Sequence, residues 1–467
     1  MIRRVIILIV ILAIIIIAAV IIVRVAVPRV QARRTVRQEE AEAKVEGEIE
    51  GGILGDEEVE EEVDPEQQAL DEAELLAAMY DYDGAISTLQ DSGYYDTNTK
   101  MQSAVASYQE QKDACVAWEP ESVTHVFYHS LIVDPSKAFD GDDMEGGYNQ
   151  YMCTIDEFNK INQEMYDRGY VMVSMHDMCT VNDDGTVDPK TIYLPEGKTP
   201  YVLSQDDVSY YHYMTGDGFA SKLVLDEDGQ VKNEYIEDDG TVSIGNYDLV
   251  PLIDAFVEEH PDACYHGHKG CIALTGYEGV MGYRTDEVYL TREEGRVTNN
   301  QQKFFDENPD FDEDAWQNEV DQATAVADAM KENGWEFASH TWGHIDPLAK
   351  GYNAFVQDTD RWINYVEPIV GYTDIIIFAF GADITEGVPA YSEDNEFYRY
   401  LKDVAGFNIF CLVDSNQYFV QFNGTSMRMG RRDIDGYRMY YYPDTSNDLY
   451  NVDDVWDDSR PTPVPEI

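Results

Sequence analysis

Tyr201-Val202-Leu203-Ser204-Gln205-Asp206-Asp207 is an apolar, strand-like run that ends on two adjacent carboxylates. A second run, Trp335-Glu336-Phe337-Ala338-Ser339, delivers His340-Thr341-Trp342-Gly343-His344 in the same manner. Parallel barrels present their chemistry at the carboxyl ends of strands, so both runs read as barrel strands with functional groups at their tips. One carboxylate with two imidazoles is a three-ligand set for a divalent metal that keeps an open position. The other carboxylate can then act as a base toward water.

Context makes the pair informative, because an acidic chain forms Asp-Asp freely. The other instances, Asp142-Asp143, Asp183-Asp184, Asp238-Asp239, Asp453-Asp454 and Asp457-Asp458, do not end apolar runs and read as solvated turns. The competing reading of the second run has His340 and His344 capping a strand and hydrogen-bonding locally. It is the weaker one, since both motifs sit at the same kind of strand end.

On either side of these motifs, apolar runs alternate with amphipathic stretches. Candidate strands are 124–129, 170–175, 200–204, 270–275, 335–339, 374–380 and 407–413, with helices at 154–168, 247–259, 315–333, 358–369 and 395–405. Alternation at this spacing predicts an α/β fold built as a parallel β/α barrel. The long interval between the two motifs includes a β-hairpin from Lys222 to Ile244, turning at Asp228-Gly229, and a polar excursion from Arg284 to Pro309.

The strand-Asp-Asp followed by His-Thr-x-x-His resembles the polysaccharide deacetylase (NodB-like) family, whose first motif is Thr-Phe-Asp-Asp and whose second is His-Ser/Thr-x-x-His. His125-Val126-Phe127-Tyr128-His129-Ser130-Leu131 is similar to the Tyr-His strand that opens the poly-N-acetylglucosamine deacetylase branch. Phe158 through Met172 is similar to the helix and strand that follow it there. The resemblance spans roughly residues 122 to 444. It implies a deformed (β/α)7-type barrel, with Asp207, His340 and His344 as metal ligands and Asp206 as general base. Zinc is the default for such ligands, and cobalt, nickel or iron suits the same set.

Two family motifs are altered. Where Arg-x-Pro-x-Gly should stand, Ile377-Phe378-Ala379-Phe380-Gly381-Ala382-Asp383 keeps only the glycine; Phe380 and Gly381 are candidate substrate contacts. The late Leu-x-His that supplies the catalytic acid has no counterpart, because His344 is the last histidine. Gln205 also replaces the usual apolar residue. His129, closing the first strand, is the candidate acid, set against a histidine satisfied within the core; His176 is a weaker candidate. His260, His266 and His268 read as loop histidines. Asp414, after Phe410-Cys411-Leu412-Val413, is a candidate sugar contact or a strand-end turn. Arg428, Arg431 and Arg432 read as surface basics, with replacement of the missing arginine as the alternative. Tyr210, Tyr211 and Tyr213 offer faces for sugar stacking, set against half-buried packing.

Val5 through Val23 is an unbroken run of Val, Ile, Leu and Ala. Its length suits a bilayer crossing, and the arginines that follow favour an uncleaved anchor over a cleaved signal. Residues 1–37 are therefore expected as a transmembrane anchor (span about 5–27), 38–66 as an acidic disordered linker and 67–118 as a helical hairpin region. Residues 119–444 then form the deacetylase-like domain and 445–467 an acidic, Pro-rich, disordered tail. Counting Lys and Arg alone would put the main domain in the cytoplasm; a carbohydrate-active domain is expected outside, which points to a single-pass cell-membrane protein with an extracellular domain.

All 91 acidic residues lie beyond Arg37, against 32 basic residues in the whole chain, for a net charge of −59. Phosphate backbones need basic surface, which excludes nucleic acid as a partner. The 6 cysteines contain no Cys-x-x-Cys, so neither a zinc ribbon nor a redox motif is present. Cys264 and Cys271 could pair in an exported domain, or stay as buried thiols. Oligomeric state is open.

The expectation is a metal-dependent hydrolase that removes N-acetyl groups from N-acetylglucosamine-type units of a surface polysaccharide or peptidoglycan. Alternatives are a degenerate deacetylase-like domain that binds glycan without hydrolysis, and a C–N hydrolase of small amides.

Overall fold

The computed structural model describes residues 64–387, 390–413 and 418–467. The 5–27 span, nearly all of the 38–66 linker and Asp414 lie outside the described residues. No helix among the described residues is long and apolar enough to cross a membrane.

Seven parallel strands close into a ring in chain order: β1 (Thr124–Tyr128), β2 (Thr199–Asp206), β3 (Cys271–Leu274), β4 (Glu336–Ser339), β5 (Ile375–Ile377), β6 (Ile409–Val413) and β7 (Met427–Asp433). β7 returns to β1 through Arg432↔Val126 and Asp433↔Phe127, which completes the closure. The expected count of seven holds, but one member differs. The apolar run after Gly169 forms a strand only at Tyr170–Met172, and it pairs with Thr199–Tyr201 at the start of β2. Tyr201 already has Thr124 of β1 on its other edge, and from Ser204 onward β3 takes over the vacated edge. Tyr170–Met172 therefore fills the gap beneath β3 and lies outside the ring. The ring's seventh strand is β7.

Strand alternation sorts side chains into an interior and an outer shell. Val202, Ala273, Ala338, Ile377, Cys411 and Met429 pack with others in the interior cluster. Leu203, Ile272, Leu274 and Phe337 face outward, where Val326, Met330 and Trp362 cover them. The helix Glu313–Glu332 supplies two of those covering residues, and its Asp312 cap accepts from Ala315 N–H. Trp362 is fully buried and donates its indole N–H to Leu274 O at 2.7 Å, fixing the tip of β3.

Before the barrel, helices Pro65–Ala78, Tyr82–Asp91 and Thr99–Asp113 pack on it, with Tyr80 Oη donating to Asp262 O at 2.8 Å. The first helix starts at Pro65, inside the stretch expected as linker, because Asp64 caps it and proline is preorganised for a first turn. Residues 222–245 form a three-stranded antiparallel sheet, one strand more than the expected hairpin.

The 445–467 tail is packed, against the expectation of disorder. Arg460 is 3 % exposed and donates to both Glu157 carboxylate oxygens, at 3.0 and 2.5 Å, and to Asn149 O and Met152 O. Its composition suggests disorder because its anchors are one buried ion pair and a few apolar contacts, among them Val455 and Val464. All six cysteines are free thiols and five are buried, so Cys264 and Cys271 are not bridged.

Candidate metal centre

The tips of β2 and β4 lie on the same end of the barrel. There Asp207, His340 and His344 offer ligand atoms that all lie within 4.8 Å of one another. His344 Nε2 is 3.4 Å from Asp207 Oδ2, and His340 Nε2 is 4.0 Å from the same oxygen. His340 Nδ1–H donates to Ile377 O at 2.7 Å, which leaves its Nε2 lone pair facing the carboxylate. Burial holds the His340 pKa below the ordinary imidazole range, so the ring is neutral, as a ligand must be. Two imidazoles and one carboxylate so placed fit a divalent cation.

The backbone around these ligands is held in unusual shapes. Asp207, Thr341, His344 and Phe380 all have positive φ, between 48° and 62°. Each such residue costs about 1 kcal/mol or more and persists where neighbours over-determine it. In the histidine loop Asp358 is one such neighbour, accepting from Trp342 N–H at 2.6 Å and Gly343 N–H at 2.8 Å. Thr341 Oγ1 adds a further tie by accepting from Ile345 N–H at 2.8 Å. A Cβ at Gly276 would sit 2.1 Å from the Trp342 ring, so only glycine lets that indole seat the loop. On the other ligand, Tyr211 Oη donates to Asp207 Oδ1 at 2.7 Å, leaving Oδ2 for the histidines.

Asp206 points into the barrel beside the triad. Arg431, wholly buried, grips it with two bonds, Nη1 to Oδ1 at 2.7 Å and Nη2 to Oδ2 at 2.8 Å. Burial pushes the Asp206 carboxyl up, but the charge and hydrogen bonds of Arg431 outweigh it and hold the group well below the usual carboxylate range. The guanidinium also lies 4.0 Å over the Phe127 ring. The expectation that Arg428, Arg431 and Arg432 are surface basics is therefore wrong for all three, each 5 % exposed or less. Arg428 pairs with Asp383 and Arg432 with Asp448 on the outer side, whereas Arg431 occupies the interior. Arg431, from β7, is thus the arginine that holds Asp206. Period-2 alternation with Met427 and Met429 is the signal that puts Arg431 inside.

A cavity of about 400 Å³ opens over these groups, lined by Asp206, Asp207, His340 and His344 and also by His129, Phe380, Gly381 and Asp433. His129 is at the rim, its Nδ1–H donating to Tyr151 O at 3.2 Å. Phe380 is 71 % exposed and meets His344 edge-on at 4.2 Å between centroids. Gly381, φ 63°, packs where a Cβ would fall 2.5 Å from Val413 Cβ, so its role is a close approach between two strand ends. Tyr213 also faces the cavity, stacked on Tyr211, while Tyr210 is buried and donates to Asp248. Gln205 likewise bonds Asp248, at 2.7 Å.

His176 lies elsewhere. It bridges Glu336 at 2.5 Å and Asp374 at 3.0 Å, at the amino ends of β4 and β5, on the opposite face of the barrel. Burial pulls its pKa down, but the two carboxylates outweigh that and push it up to about 10, which makes it a structural ion pair. His268 bonds Asp177 at 2.7 Å, and His266 sits in a positive-φ turn at the helical region; neither approaches the cavity.

No family model and no curated protein matches this chain. Among solved structures, the Streptococcus pyogenes deacetylase PplD in complex with acetate aligns over 66 % of this chain and 91 % of that one, with 12 % identity and a TM-score of 0.32. A score that low carries no functional weight, which falls instead on the side-chain geometry of the cavity.

Proposed function

We propose that this protein is a metal-dependent carbohydrate N-deacetylase, hydrolysing acetamides on N-acetylglucosamine-type units of a surface polysaccharide or peptidoglycan. The observation that carries the reading is the convergence, in one cavity, of the Asp207–His340–His344 triad with the Arg431-clamped carboxylate of Asp206. A divalent cation at the triad, zinc by default, supplies Lewis acidity toward a carbonyl and toward water. With that supplied, a carboxylate of low basicity such as Asp206 suffices to take the proton of the attacking water. Arg431 fixes the direction from which it does so, because a bidentate clamp leaves little rotational freedom. Phe380 and Tyr213 present exposed aromatic faces at the rim, the surface on which sugar rings stack. A tethered location, extracellular and anchored through residues 5–27, fits a polymeric substrate that does not diffuse to the enzyme.

The test is acetate release from N-acetylated chitooligosaccharides by the full-length protein. Activity abolished by chelation and by Asp206→Asn supports the function. Intact activity in that variant defeats the assignment, and polymer binding without acetate release marks a glycan-binding domain instead.

A further inference from the structure

One step of deacetylation at this site, protonation of the departing amine, is still to be assigned; His129 lies at the cavity rim with its Nδ1–H given to Tyr151 O. The last residue of β7, Asp433, lines the same cavity as Asp206 and the triad. Its Oδ1 is buried with no donor. Arg431, two residues away, directs both terminal nitrogens to Asp206. Asp433 and Asp435 are neighbouring carboxyls at the buried end of β7, and two such groups side by side cannot both ionise freely. Asp435 has a backbone donor that favours its charged form, since it caps the helix Gly436–Tyr441 and accepts from Arg438 N–H at 2.6 Å. Asp433 has none. The proton therefore resides on Asp433.

We propose that Asp433 is the general acid of this site, donating its carboxyl proton to the nitrogen of the departing amine. The inference rests on the deacetylase reading. The water oxygen bonds to the acetamide carbon while one water proton passes to Asp206, and the carbonyl π pair moves onto oxygen. As that pair re-forms the C=O bond, the C–N bond breaks with its electrons going to nitrogen, and nitrogen takes the proton from Asp433. The acetic acid formed gives its proton to the released amine, so acetate and ammonium leave, and the proton held by Asp206 restores Asp433 through solvent. Burial first, and Asp435 second, push the Asp433 carboxyl well above the ordinary range. Groups facing it are Asp206 from β2, His129 after β1, Tyr151 and Cys153 from the 145–153 segment, and Arg431 and Asp435 beside it.

The experiment uses full-length, metal-loaded protein with two substrates, the N-acetylglucosamine trimer and 4-nitrophenyl acetate, whose phenolate departs without a proton. D433N should cut acetamide hydrolysis by ~100-fold or more, with a loss on the aryl ester at least ~10-fold smaller, and with metal content unchanged. Equal losses on both substrates, or acetamide hydrolysis within ~3-fold of wild type, overturn the inference. If D433N does not fold, D435N decides: removing the neighbouring charge should move the alkaline limb of kcat/KM to lower pH, and an unmoved limb overturns the assignment. Wild-type protein that carries metal but releases acetate from neither substrate removes the deacetylase reading and this inference with it. Selective behaviour of D433N against an active wild type tests the acid alone.

Discussion

Replacing Arg431 with methionine keeps most of the buried volume and deletes the charge that holds Asp206. In the wild-type barrel the pair is buried, with bonds of 2.7 and 2.8 Å, and among the described residues Arg431 is the one Lys or Arg in an ion pair with that carboxylate. Removing one partner of a buried pair typically costs about 3–5 kcal/mol. The pH dependence has a definite sign. Wild-type Asp206 is depressed below its unfolded value of about 3.9, so its stabilisation is present above that pH and is lost only in stronger acid. Without Arg431 burial dominates and raises the carboxyl above about 3.9, so an ionised Asp206 destabilises the variant at neutral pH, and stability recovers as pH falls toward about 4. Urea unfolding of chelator-treated wild type and R431M at pH 7, 6, 5 and 4 reads this directly. The deficit should be largest at pH 7 and shrink on acidification, and D206N/R431M should regain much of it. A deficit below ~1 kcal/mol at pH 7, or one independent of pH, refutes the argument that Arg431 exists to compensate Asp206.

Other substitutions separate ligands, their supports and the rim. His340→Ala and His344→Ala should each abolish tight zinc binding by calorimetry; retention at wild-type affinity would remove that residue from the ligand set. Asp358→Ala touches no ligand but frees the loop that carries both histidines, and it should weaken zinc affinity roughly 10–100-fold, with unchanged affinity counting against the loop-positioning role. Phe380→Ala should raise KM for a chitooligosaccharide by about 3–10-fold at similar kcat, and an effect on kcat alone would exclude stacking. Arg460→Met should cost about 3–5 kcal/mol and expose the 445–467 segment to limited proteolysis; a protease-resistant tail in that variant would show that the Glu157 pair does not hold it.

Much of the site is legible in the sequence because its parts sit where one-dimensional patterns end. Asp206-Asp207 and His340-x-x-x-His344 each terminate an apolar run, and a strand end is the one place where period-2 burial gives way to exposed chemistry. Arg431 is harder to see, because Arg428, Arg431 and Arg432 look like a basic surface strand when counted by charge. By parity with Met427 and Met429, Arg431 falls inside. Tyr170–Met172 fails in the opposite direction: its composition is strand-like and it is a strand, but ring membership depends on which edge of β2 is free, which no local pattern encodes. The packed tail escapes for a related reason. Its anchor is Arg460 bonded to Glu157, a contact across some three hundred residues in an otherwise acidic, Pro-rich stretch. Asp433 has no motif to announce it, since an acid in a barrel of acids becomes distinctive only once Asp435 and Arg431 are seen beside it.

Anomalous diffraction at the zinc edge, from crystals of the metal-loaded protein, asks whether these three side chains hold one cation. The expected result is one strong peak about 2.0–2.2 Å from a carboxylate oxygen of Asp207 and from Nε2 of both His340 and His344, with Asp206 turned to Arg431. A peak away from these three side chains, or none in protein that releases acetate, would contradict the metal assignment.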